Sequence, residues 1–181
     1  MKLYLKNMVC DRCIMVVRQQ LEALHCQVDA IRLGEVEFHP DPSKENLMRI
    51  HDNLKAIGFE LLEDKRLRLI ERIKVLIIDK IAKMNLPKDM NFSDYLSAEL
   101  DLDYHHLSHT FSEVEGITIE KYIISIKVEK VKELIRYGDL TISEIAWKMD
   151  YSSIQALSNQ FKKVTGMTPS LYRTNFDNAK K

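Results

Sequence analysis

The chain repeats itself once, and that repeat constrains its second half more than any other feature. Phe92-Ser93-x-Tyr95-Leu96, followed by Tyr104-x-x-Leu107-x-x-x-Phe111 and Gly116, answers to Thr141-Ile142-Ser143-x-Ile145-Ala146, followed by Tyr151, Leu157-x-x-x-Phe161 and Gly166. Each copy predicts a helix, a tight turn and a second helix closed by glycine, with Thr141 and Ser152 or Ser153 placed to cap helix N-termini. That is the helix-turn-helix layout. Between the copies, Tyr122, Ile126, Val131, Leu134 and Ile135 fall at helical spacing. A helix over 119–137 is about 28 Å long at 1.5 Å per residue, close to the ~34 Å between successive major grooves on one face of a duplex. Leu107, Phe111, Trp147, Leu157 and Phe161 are read as core.

A different period governs residues 1–64. Charged and apolar residues alternate from Lys2, predicting a strand over Lys2–Met8. Ile14, Val17, Leu21 and Leu24 place an amphipathic helix just past Cys13. Residues 28–33 and 35–38 read as strands around Gly34. Pro42-Ser43 opens a second helix carrying Leu47, Ile50, Leu54 and Ile57, which Gly58 closes, and Phe59–Leu62 supplies a last strand. The order is that of an α+β, ferredoxin-like βαββαβ unit, in which two helices cover one face of a four-stranded sheet.

Cys10 and Cys13 sit at the strand-to-helix junction of that unit. Two thiolates three residues apart at a helix N-terminus meet a positive dipole end that lowers their pKa, and soft sulfur selects Cu(I) or Zn(II). A buried Met8 would brace the loop. Two rival readings are a pair of small residues at a turn and a thioredoxin-like disulfide, whose aromatic-Cys-Gly-Pro-Cys setting is absent. A zinc finger that adds His25 and Cys26 fails on geometry, because the intervening helix carries His25 roughly 16–18 Å away. Cys26 is expected to be a buried apolar residue.

Asn7-Met8-Val9-Cys10-Asp11-Arg12-Cys13 and the closing Gly58-Phe59 resemble the heavy-metal-associated domain of copper chaperones and metal-transporting ATPases, over about sixty residues. The resemblance implies Cys10 and Cys13 as metal ligands. It departs from the family at Asn7, where the motif has glycine, and that bears on how readily the loop exchanges metal.

Residues 65–84 carry Leu69, Ile70, Ile73, Ile77, Ile81 and Met84 on one helical stripe, suited to a core or a partner helix, with Pro87 as its stop. A homodimer through a 65–86 helix is one expectation. With almost no Gly or Pro before it, this helix should join the two halves rigidly. The net charge is zero, but splitting the chain at Asp64 and Met90 gives segments of −3, +5 and −2. A C-terminal half at −2 is unhelpful to a nucleic-acid binder, whose affinity comes largely from phosphate contacts. Apolar runs such as Ile14–Val17 and Val75–Ile78 stop at four residues, so no membrane span is expected, and the charged N-terminus lacks a signal-peptide apolar region. A cytoplasmic protein is expected.

Leu140-Thr141-Ile142-Ser143-Glu144-Ile145-Ala146, with Tyr151-Ser152-Ser153 and Phe161-Lys162-Lys163-x-Thr165-Gly166-Met167-Thr168-Pro169-Ser170-x-Tyr172-Arg173, resembles the C-terminal signature of the AraC/XylS family of bacterial transcription regulators. The resemblance spans roughly Leu69–Arg173. It implies base-facing residues His105, Ser108 and His109 on the first recognition helix, and Ile154, Gln155, Ser158 and Asn159 on the second, with Ser152 and Ser153 at that helix's start. Gln and Asn pair bidentately with adenine edges, whereas His and Ser are weaker readers. Lys162 and Lys163 are expected to touch phosphates. The family commonly has Arg where His109 and Asn159 stand and Gly where Asp150 stands, so a guanine contact is lost and a negative charge enters the turn. His105 and His109, at i and i+4, also read as a pair of zinc ligands.

The expected organisation is thus a ferredoxin-like domain over 1–64, an all-α domain over 65–176 with two helix-turn-helix motifs, and a disordered tail over 177–181. The expected function is a sequence-specific DNA-binding transcription regulator responding to a soft ion at Cys10 and Cys13, with double-stranded DNA and RNA polymerase as partners. The alternative is a metal carrier or protein-interaction module whose helix-turn-helix region binds DNA poorly. No nucleophile–base set, paired carboxylates or phosphate loop stands in a plausible context, so an enzyme is not expected.

Overall fold

The computed structural model describes residues 1–84 and 91–178, and the chain divides into two compact units, Met1–Asp79 and Lys80–Lys181. In the first unit, strand β1 (Lys2–Lys6) is followed by helix α1 (Asp11–Ala23), strands β2 (Val28–Arg32) and β3 (Glu35–Phe38), helix α2 (Lys44–Ala56) and the short β4 (Glu60–Leu61). The strands form one antiparallel sheet in the order β2-β3-β1-β4, with Leu3 opposite Val36 and Leu5 opposite Leu61. Leu5, Ile31, Val36 and Phe38 bury one sheet face together with Val17 and Leu21 of α1 and Ile50 and Leu54 of α2. Each such side chain contributes roughly 1.5–3 kcal/mol by leaving water. On the other face Lys2 Nζ lies 2.7 Å from Glu35 and 3.7 Å from Glu37.

Several boundaries differ from the sequence reading, each for a local reason. β1 stops at Lys6 rather than Met8, because Asn7 turns left-handed with φ 73°. The first helix starts at Asp11 with Cys10 as its N-cap, so Cys13 lies inside the first turn instead of ahead of it. β4 keeps only Glu60–Leu61, since the Phe59 amide is drawn back to the Leu54 carbonyl at the end of α2.

Helix α3 (Lys65–Ala82) ends two residues before the stripe does, with Met84 left-handed at φ 49°. Its residues through Asp79 group with the first unit, not with the helical half as a break at 64 implied. Arg68 explains the start of this grouping, donating to the carbonyls of Leu62 and Glu63 and lying 5.0 Å over the Tyr4 ring. Ile70, Ile73, Ile77 and Ile81 of the α3 stripe are buried. Residues 85–86 of the helix expected to serve a homodimer and its stop, Pro87, lie outside the described residues.

The second unit contains α4 (Phe92–Leu100), α5 (Tyr104–Glu115), α6 (Ile119–Tyr137), α7 (Ile142–Lys148), α8 (Ile154–Thr165) and α9 (Pro169–Asn178). Every start from α4 to α8 carries a side-chain cap: Asn91, Asp103, Thr118, Thr141 and Ser153 accept from backbone amides. Thr141 and Glu144 form a reciprocal capping box. Gly116, Gly138 and Gly166 close α5, α6 and α8 in the left-handed conformation, which glycine adopts without a Cβ clash. Leu96, Leu107, Phe111, Val128, Val131, Ile145, Leu157 and Phe161 are buried in this unit.

Trp147 corrects the expectation that it is core, being 78% exposed. Ile145 and Ala146 are the inward residues of α7, and a residue two positions beyond Ile145 is turned about 200° around the helix. α9 closes the unit. Its Tyr172 hydroxyl accepts from Arg136 Nε (3.0 Å) and Nη2 (2.8 Å), and Arg173 Nη2 donates to the Leu140 carbonyl at 2.6 Å. Asp177 and Asn178 belong to this helix rather than to a tail, and 179–181 lie outside the described residues.

Candidate nucleic-acid interface

Both turns that aim the second helix of each pair contain a left-handed aspartate, Asp101 (φ 52°) and Asp150 (φ 54°). Asp150 occupies the place where the family resemblance expects glycine. Its charge faces Lys127 of α6, whose Nζ donates to the Met149 carbonyl at 3.3 Å and lies 5.4 Å over the Tyr151 ring. Burial lowers the Lys127 pKa and Asp150 opposes that shift. Lys127 therefore satisfies the end of α7 and offsets the aspartate in one contact. The sequence reading missed Lys127; an unexplained charge at a glycine position was the signal that a partner should exist.

α8 begins at Ser153, whose hydroxyl accepts from the Ala156 amide at 3.0 Å. Its outer face is Ile154, Gln155 and Asn159 with Ser152 and Ser153 before them, all exposed, and half-buried Ser158. Gln155 Nε2 donates to Asn159 Oδ1 at 2.7 Å. This leaves Gln155 Oε1 as an acceptor and the Asn159 amide as a donor, the complement of adenine N6 and N7. Lys162 and Lys163 are exposed in the last turn. Beneath them Leu157 and Phe161 are fully buried, and the Tyr151 hydroxyl donates to Gln160 at 2.6 Å. Burial pushes the Tyr151 pKa up to about 12, so it stays a donor.

α5 has the same frame with different chemistry. His105 and His109 are exposed, their rings 6.4 Å apart and 20° from parallel, and Ser108 is half-buried between them. His109 Nδ1 faces Glu113 at 3.7 Å. These residues and Ser112 line a shallow hollow of about 480 Å³. Tyr104 donates to Glu120 at 2.5 Å, a tie from the start of α5 to the start of α6 that lowers the Glu120 pKa; burial and this bond raise that of Tyr104.

In the first unit the Cys10 and Cys13 sulfurs are 3.7 Å apart, and Cys13 Sγ lies 3.9 Å from the Asn7 carbonyl. The Cys13 amide, against a smaller effect of burial and with help from Arg12, holds the Cys10 thiol below its ordinary value. Asn7 takes the left-handed position itself and ties the loop down by donating to the Gly58 carbonyl at 2.9 Å. Met8 is buried beneath, as expected. Cys26 is half-buried against the core, and desolvation raises its thiol pKa. Among the described residues no group of three His, Cys, Asp or Glu is placed to hold a metal ion.

Two helix-turn-helix pairs joined by one long helix define the C-terminal unit as a double helix-turn-helix module. Residues 96–175 match the helix-turn-helix domain family. The chain is 24% identical over 155 residues to the probable transcriptional regulator LumQ of Photobacterium leiognathi, covering 84% of this chain and 61% of that protein. It is 30% identical over 90 residues to the bifunctional transcriptional activator/DNA repair enzyme AdaA of Bacillus subtilis (strain 168), covering 47% of this chain and 43% of that one. The chain therefore spans less than two thirds of either relative. Among solved structures, the C-terminal domain of AraT, a response regulator from Geobacillus stearothermophilus, superposes with a TM-score of 0.51 at 25% identity, covering 59% of this chain and 84% of that domain. No described helix is long and apolar enough to cross a membrane.

Proposed function

We propose that the chain is a DNA-binding transcription regulator of the bacterial cytoplasm whose α8 reads base edges through Gln155 and Asn159. Lys162 and Lys163 hold the backbone and His105, Ser108 and His109 of α5 make a weaker second contact. The observation that carries this reading is the α8 face: a capped helix on a fully buried base, presenting a paired acceptor and donor beside two lysines. RNA polymerase is the protein partner such a regulator needs. The test is binding of the reduced protein to DNA upstream of its own coding sequence across a salt series. Specific binding with a log–log salt slope near −0.9 per phosphate contact supports the reading, and binding no tighter than to random DNA defeats it.

The N-terminal unit, in this proposal, is a ferredoxin-like, heavy-metal-associated-like domain that takes a soft ion at Cys10 and Cys13. The lowered Cys10 thiol and the two neighbouring sulfurs fit a thiophilic ion. Zn(II) in a structural site wants four protein ligands, so a pair alone suits Cu(I) better. Replacing both cysteines with serine should abolish binding of Cu(I) and any Cu(I)-dependent change in DNA affinity. Unchanged metal content in that variant removes the sensing half.

A second reading, a carrier or protein-docking module, draws on α5, which has no Lys or Arg, and on exposed Trp147. A shallow salt slope on all DNA would favour it.

A further inference from the structure

We infer that His105 and His109 form a second, thiol-independent site for a divalent transition-metal ion of the zinc class, and that an ion held there blocks base reading by α5. Three of the chain's six histidines, His105, His106 and His109, fall within five residues of this helix. His105 and His109 share a face one turn apart, with their rings near parallel at 6.4 Å. Both are exposed, so packing does not hold either ring from turning toward a shared ion. Imidazoles at i and i+4 on a helix are the spacing by which helical motifs grip zinc, and imidazole suits Zn, Cu and Ni.

The surroundings favour a cation. α5 carries no Lys or Arg and ends in Glu113 and Glu115. Glu113 faces His109 Nδ1 at 3.7 Å, the place of the carboxylate that orients a ligating imidazole and raises its basicity, which leaves Nε2 outward. Ser108 and Ser112 flank the hollow of about 480 Å³ in which the ion's remaining waters would sit. With two protein ligands and water completing the shell, the ion exchanges readily instead of being structural.

Exclusivity follows from atom count. With Nδ1 turned to Glu113, His109 has one nitrogen for the outside, and it can serve a metal ion or a base edge but not both. The blocking step rests on the DNA-binding reading above; the metal site does not.

The experiment uses the full chain with Cys10→Ser and Cys13→Ser, so that the thiol pair takes no part, titrated with zinc chloride by calorimetry. One equivalent should bind. Affinity should fall tenfold or more in His105→Gln and in His109→Gln and stay unchanged in His106→Gln, with circular dichroism confirming equal helix content. No binding, or an equal loss in His106→Gln, would overturn the site. With upstream DNA present, zinc at ten times its own Kd should weaken specific binding by as much as the α5 contact contributes, up to the roughly elevenfold of full exclusion, and by no more than about twofold in His109→Gln. Zinc that leaves DNA affinity unchanged, or raises it, overturns the blocking step alone. A chain that binds no specific DNA even in metal-free buffer refutes the DNA reading, while the zinc titration still decides the site.

Discussion

α5 and α8 hold equivalent places in the internal repeat, are both twelve residues long, and each starts at a side-chain cap and ends at a left-handed glycine. Their surfaces differ in sign. α8 carries Lys162 and Lys163 with no acidic residue, whereas α5 carries Glu113 and Glu115 with no Lys or Arg. The buried Leu107 and Phe111 of one and Leu157 and Phe161 of the other explain how the frame survives this divergence. Core positions set where each helix lies, and the exposed positions are left to set what it recognises. In the proposed reading, phosphate attraction puts most of the DNA affinity on α8.

The largest expected effect tests that asymmetry through the cores. Phe111 and Phe161 are both fully buried, with aromatic neighbours at 5.5 Å (Tyr122) and 5.6 Å (Tyr172). Alanine at either should cost about 3–5 kcal/mol of stability. DNA affinity should collapse in Phe161→Ala and survive in part in Phe111→Ala at a temperature where both remain folded. Equal losses measured by fluorescence anisotropy would mean the two readers share the work. Next in size, Gln155→Ala should lose about 1–3 kcal/mol of discrimination at one base position. His105→Ala should lose less, and competition with single-base operator variants measures both.

The frame of both helix-turn-helix pairs could be read from sequence, because caps, closing glycines and the Leu-x-x-x-Phe spacing are local signals. Thr141, Ser153, Gly116 and Gly166 each act where the pattern put them. What escaped was relational. Trp147 looks apolar in isolation, yet Ile145 and Ala146 already take the inward face of a seven-residue helix. Lys127 sits 22 residues before the Met149 carbonyl it satisfies, and no local window links them. The αL turn at Asn7 was hidden for the same reason, since its amide is held by Gly58 from the far end of α2. The candidate readers on α8 were legible by type, but their mutual Gln155–Asn159 bond, which decides which donor and acceptor remain, was not.

A smaller effect sharpens the charge side of the comparison. Lys162→Gln should weaken binding to every sequence alike and reduce the salt slope by about 0.9, as loss of one phosphate contact requires. Introducing a lysine at Glu113 should steepen the slope by up to about the same amount if α5 lies against DNA. An unchanged slope in Glu113→Lys would place α5 away from the duplex and leave α8 as the sole reader.

The smallest expected effect separates the two helices by pH. Tyr104 ties the start of α5 to Glu120 of α6, whereas the corresponding Tyr151 of the second pair donates to Gln160, which does not titrate. The Glu120 carboxyl is held below its ordinary value of 4.5, chiefly by the Tyr104 hydroxyl. A depressed acid stabilises the fold fully above about pH 4.5 and loses that contribution as the pH falls through the lower folded value. Acid should therefore loosen the start of α5 through Glu120 and the start of α7 through Glu144 of its capping box, while α8, tied through Gln160, should hold. Amide exchange at pH 6 and at pH 3.5 reads this directly: protection in α5 should fall more than in α8 for the native chain. Glu120→Gln, which keeps an acceptor but cannot titrate, should remove the difference between the two pH values. If α5 and α8 lose protection in parallel in both proteins, the Tyr104–Glu120 tie carries no stability of its own, and the two pairs differ only in the residues they expose.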